Sequence, residues 1–137
     1  MLFHIVPKSA GALILGAASL LVLPTAVFAK ADPSQEIKTA AEYVASVAEA
    51  HDLTTAENNL HYTINCLVGP GGQGFDAKAF DPCKGMGDGA IPDVTNAAKK
   101  EALEDALTKV RAALAQRNLE RVKIEAAAAG TLLQRAL

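Results

Sequence analysis

Two stretches of this chain fall into register when one is displaced by 66 residues, and this repeat constrains the fold more than any other feature. Ile37 then falls on Leu103, Ala40 on Ala106, Ala41 on Leu107 and Val44 on Val110. Within each stretch these residues follow the three-and-four spacing of one helical face. Further along, Asp52 falls on Asn118, Leu53 on Leu119 and Leu67 on Leu133. Residue types that cap helices therefore meet each other, as the apolar positions do. The pattern predicts two αα-hairpins, one in Pro33–Val68 and one in Val94–Leu137. A single hairpin leaves an apolar stripe uncovered, whereas two cover each other. The expected fold is all-α, a four-helix bundle of two αα-hairpins. Many stripe positions are Ala, which calls for close helix packing.

Local signals set the helix ends. Asp32-Pro33 is a start, because Asp accepts from free amides and Pro suits the first turn. The first stripe runs from Ile37 through Val47 and Ala48 to His51. Asp52 is the next cap, with Thr54 and Glu57 an alternative capping box. Gly69-Pro70 stops the second helix. In the second half Asn118 caps the last helix.

Between the hairpins lies an insert, 69–93, holding seven of the ten glycines and three of the six prolines. Loops this long inside compact domains are usually functional or disordered. Phe75 and Phe80 can pin the insert to the bundle. The chain has two cysteines, Cys66 at the end of the second helix and Cys83 within the insert. An even pair in an exported chain predicts one disulfide. That bond would tie the loop down and contribute roughly 3 kcal/mol by restricting the unfolded chain.

Export is expected from residues 1–29. Met1–Ser9 carries one charge, Lys8. Ala10–Leu23 is almost wholly apolar, and small residues follow Pro24. This is the order of a secretory signal peptide, with cleavage after Ala29 or Ala31. An uncleaved anchor has the necessary length, but Pro24 and the alanine-rich end argue against it. The membrane would be met only through the signal before cleavage. The domain is then 30–137, periplasmic or secreted. It retains all 15 acids and 12 of the 13 bases. No basic face or aromatic platform for nucleic acid is present.

The insert contains GxGxxG from Gly69 to Gly74, but a helix precedes it, so the dinucleotide context is missing. Asp76, Asp81, Asp88 and Asp93 lack the calcium-loop spacing. They are expected to cap turns, with Asp93 leading into the third long helix. Within 30–137 the histidines are His51 and His61. Together they offer an alternative site for copper, zinc or haem, although no CxxCH is present and a third ligand is missing. No nucleophile–base arrangement stands out, so a non-enzymatic protein without a cofactor is expected.

The stretch His61–Pro70, followed by Gly74-Phe75-Asp76, Pro82-Cys83 and Gly87-Asp88-Gly89-Ala90, resembles a segment of small uncharacterised exported helical proteins of bacteria. The resemblance implies an exported helical protein with a bridged central loop and transfers no activity. Small metal-binding periplasmic bundles are similar in size, but they are histidine-rich and this chain is not. The expected function is binding of a protein partner or small ligand in the cell envelope through the tied loop. Asn65, Phe75, Asp76, Phe80 and Asp88 are the candidate contacts.

Overall fold

The computed structural model describes residues 30–137, and the expected signal peptide lies outside them. Among the described residues the chain is all-helical: α1 (Pro33–Ser46), α2 (Leu53–Val68), a single-turn α3 (Ala90–Asp93), α4 (Ala97–Leu114) and α5 (Leu119–Ala136). None of these helices is long and apolar enough to cross a membrane.

Each long helix begins on an acid or amide that accepts from a free backbone N–H. Asp32 accepts from Gln35 at 3.1 Å, Asp52 from Thr55 at 2.8 Å, Asn96 from Lys99 at 2.9 Å and Asn118 from Arg121 at 3.2 Å. These bonds satisfy amides that a helix start otherwise leaves unpaired. Asp52 also accepts from the Thr55 hydroxyl, and both bonds hold its carboxyl below the usual range.

Two boundaries differ from the sequence expectation. The apolar spacing continues past Ser46, but α1 ends there. Residues 47–50 tighten into turns bonded three residues back, which leaves His51 exposed at the mouth of α2. Asp93 does not lead into a long helix. It ends α3, and the extended Val94 separates it from Asn96, the actual cap of α4.

The helices pack α1 on α2, α4 on α5, α1 on α5 and α2 on α4. The core is the pair of apolar stripes: Ile37, Val44, Leu60 and Leu67 from one half, and Leu103, Val110, Val122 and Leu133 from the other. Alanines 40, 56, 106, 113 and 129 are fully buried among them, and their small side chains let helices approach closely. Within this apolar wall lies one carboxyl, Glu36, with no solvent exposure.

Candidate functional site

The insert is fastened at several points. Cys66 and Cys83 form a disulfide, with Cα atoms 5.1 Å apart. One residue earlier on α2, the buried Asn65 grips the first limb of the loop. Its Oδ1 accepts from the Asp76 amide at 2.8 Å, and its Nδ2 donates to the Asp76 carbonyl at 3.0 Å and the Phe80 carbonyl at 3.3 Å. An amide side chain can bond a peptide group in both directions because it carries both donor and acceptor. From α4, Arg111 Nη2 donates to the Gln73 carbonyl at 2.7 Å.

The two ends of the loop cross at Gly69 and Gly89. Both have positive φ, 65° and 110°. A Cβ on Gly89 would lie 2.5 Å from the Gly69 nitrogen, so backbone meets backbone with no room for a side chain. Glycine meets both demands here, the conformation and the contact.

The candidate residues divide by role. Asn65 is structural to the loop. Phe75 is partly buried against the core. Phe80 is 57% exposed and sits edge-on to Tyr62, centroids 5.7 Å apart; Tyr62 in turn meets Tyr43 at 5.4 Å. Asp76 accepts from Lys78 N at 2.9 Å and places Oδ2 3.5 Å from His61 Nδ1. Asp88 is exposed, and its amide donates to Asp93 Oδ2 at 2.7 Å. Asp81 accepts from Cys83 N at 3.1 Å, holding the turn that presents the cysteine.

His51 and His61 are not brought together. His51 precedes the α2 cap Asp52, whereas His61 lies eight residues into the helix, on the order of 12 Å along its axis from Leu53. Among the described residues no group of three or more His, Cys, Asp or Glu could hold a metal ion.

Where the insert meets α4 there is an open cleft of about 590 Å³. Val68, Ile91 and Leu107 give it an apolar floor, while Lys100, Glu104 and Arg111 stand along it. Lys100, Glu104, Leu107 and Arg111 share one face of α4 by their spacing. Gly71 and Gly72 from the first limb of the loop and Asp88 with Pro92 from its closing end also line it. The volume is in the range of small-molecule sites, which combine apolar lining with a few placed polar groups.

A second polar group lies under the far end of the loop. Glu36 Oε1 accepts from the Gly89 amide at 3.2 Å, while Oε2 is buried without a hydrogen-bond partner. Asp93 stands nearby, for both carboxyls approach Gly87. Burial, and then the neighbouring Asp93 charge, push the Glu36 carboxyl up from about 4.5 to about 7, against the pull of the Gly89 N–H. Glu36, Arg111 and Lys100 were absent from the candidates drawn from sequence. Glu36 had a signal: it precedes Ala40 by one turn on an otherwise apolar face. Arg111 and Lys100 had none, because their partners are backbone and cleft.

Comparison with known proteins finds no matching family model, no matching curated protein and no matching solved structure.

Proposed function

We propose that this chain is an exported, non-enzymatic four-helix-bundle protein that binds a small ligand in the cleft between its disulfide-tied loop and α4. The observation that carries this reading is the cleft of about 590 Å³, walled by both ends of the loop and floored by Val68, Ile91 and Leu107. The loop that forms it is covalently closed and hydrogen-bonded, so the wall is pre-formed and less ordering cost falls on binding. The disulfide supports an oxidising compartment, in line with export to the periplasm or medium.

The alternative, a bundle holding copper, zinc or haem, would use His61. Its nearest acidic partner is Asp76, and one His with one carboxylate falls short of the three protein ligands of a zinc site. The ligand reading therefore stands ahead of it.

Purification from the exported fraction, followed by denaturation and mass spectrometry of the released small molecules, tests the proposal. A stoichiometric organic compound supports it. A protein carrying metal or haem in its place would favour the alternative.

A further inference from the structure

Several features meet at the closing end of the loop. Glu36 on α1 has no solvent exposure, and one of its oxygens has no partner. Its other oxygen holds the Gly89 amide, while Asp93 Oδ2 holds the Asp88 amide. Both carboxyls approach Gly87: a Cβ there would press on Asp93 Oδ2 and lie 3.0 Å from Glu36 Oε1. The two acids thus meet on one side of Gly87 and between them hold the next two loop amides, Asp88 and Gly89. A carboxyl with no solvent exposure beside a second carboxyl resists ionisation, because its charged form is both desolvated and repelled.

We propose that Glu36, beside Asp93, is a proton-held latch that fastens the 87–93 end of the loop to α1 and releases it when the Glu36 proton is lost. The groups bearing on Glu36 leave the proton as the means of relief. Asp93 on α3 and Asp32 ahead of α1 are both acidic. Asp81 and Lys84 of the loop border the adjoining cavity of about 40 Å³, and α2 contributes the neutral Asn65. Lys84 itself is exposed. With the proton in place, the carboxyl without a partner becomes a donor to Asp93, and the pair closes on the Asp88 and Gly89 amides. Without it, a buried Glu36 charge faces the half-exposed Asp93, and the 87–93 segment moves away from α1 to let water reach Glu36. Asp88, Ile91 and Pro92 all line the cleft, so the latch would set its shape. The latch does not depend on any ligand.

The test is an NMR titration of the disulfide-bonded protein between pH 4 and 9. It follows the Glu36 side-chain carboxyl carbon and the exchange protection of the Asp88 and Gly89 amides, corrected for intrinsic exchange. The expected result is a carboxyl midpoint near neutral pH. Protection at Asp88 and Gly89 should fall at least tenfold across the same midpoint, while amides of α4 and α5 hold theirs. Glu36→Gln supplies a permanent donor and should keep protection at high pH. If that variant fails to fold, Asp93→Asn serves instead and should move the Glu36 midpoint toward the ordinary carboxylate range. A Glu36 carbon titrating at an ordinary carboxylate pH in the unsubstituted protein would overturn the latch. So would protection that is flat across the range.

Discussion

Asn65 holds Asp76 through both of its backbone polar groups, accepting from the amide at 2.8 Å and donating to the carbonyl at 3.0 Å. This pairing places the first limb of a glycine-rich loop on the last turns of α2, beside the disulfide that fastens the middle of the same loop.

Asn65→Ala leaves the Asp76 amide and carbonyl without those bonds inside a partly buried site. Leaving buried polar groups unsatisfied costs about 1–3 kcal/mol, so the variant should lose about that much stability. Asn65→Asp keeps the acceptor but loses the donor, and should also be destabilised. Urea unfolding checks both. A stability change within error for Asn65→Ala would show that the loop does not depend on this clamp.

Reduction of Cys66–Cys83 should cost roughly 3 kcal/mol, since the bond restricts the unfolded chain across a 17-residue separation. Urea unfolding of the protein with and without reductant, alongside the Cys66→Ala, Cys83→Ala double variant, measures it. Helical circular dichroism should survive in the reduced form, because the helix core lies outside the loop. Mutual loss of the helix signal and the loop would contradict this division.

Much of this was legible in the sequence for a physical reason. Helix stripes and N-caps are local patterns, and Asp52 and Asn118 occupy the cap positions their residue types favour. The disulfide followed from two cysteines and an expected oxidising compartment. The site was less legible. Arg111 acts on a backbone carbonyl 38 residues away, and such a partner leaves no residue-type signal. Asp93 carries the residue type of a helix cap, but its carboxyl turns back five residues to accept from the Asp88 amide, at the end of α3 and not at the start of α4. The end of α1 at Ser46 was missed because Val47 and Ala50 remain buried in the turn and prolong the apolar pattern.

Glu36 makes stability depend on pH with a definite sign. Its folded value, about 7, lies above the ordinary 4.5, so the folded state binds the proton more tightly than the unfolded state. The stabilisation is full below pH 4.5 and is lost as pH rises to 7 and beyond. A shift of this size sets an upper bound of about 3 kcal/mol between the two ends of the window, reduced by whatever water screens the carboxyl. Urea midpoints at pH 5 and pH 8 should differ in that direction, and Glu36→Gln should remove most of the difference. A protein more stable at pH 8 than at pH 5 would contradict the assignment.

The crossing at Gly69 and Gly89 should be intolerant. Gly89→Ala combines a φ of 110° with a Cβ against the Gly69 nitrogen, and should cost several times the ~1 kcal/mol of an ordinary glycine replacement. Gly71→Ala is the control, because a Cβ there meets nothing within 4 Å. Comparable melting temperatures for the two variants would show that the crossing is not tight.

If the loop and α4 form a ligand site, a bulky side chain at Gly71 should block it. Gly71 lines the cleft, and its surroundings leave room for a side chain, so Gly71→Trp should fill the mouth and leave the fold intact. The measurement is a fragment screen of aromatic and aliphatic carboxylates and amines, read by amide NMR shifts on both proteins. Fragments should shift Gly72, Ile91 and Leu107 in the unsubstituted protein and fail to bind Gly71→Trp, with urea stability changed by less than about 0.5 kcal/mol. Fragments that bind both proteins alike, or none that reach the cleft, would contradict the ligand site.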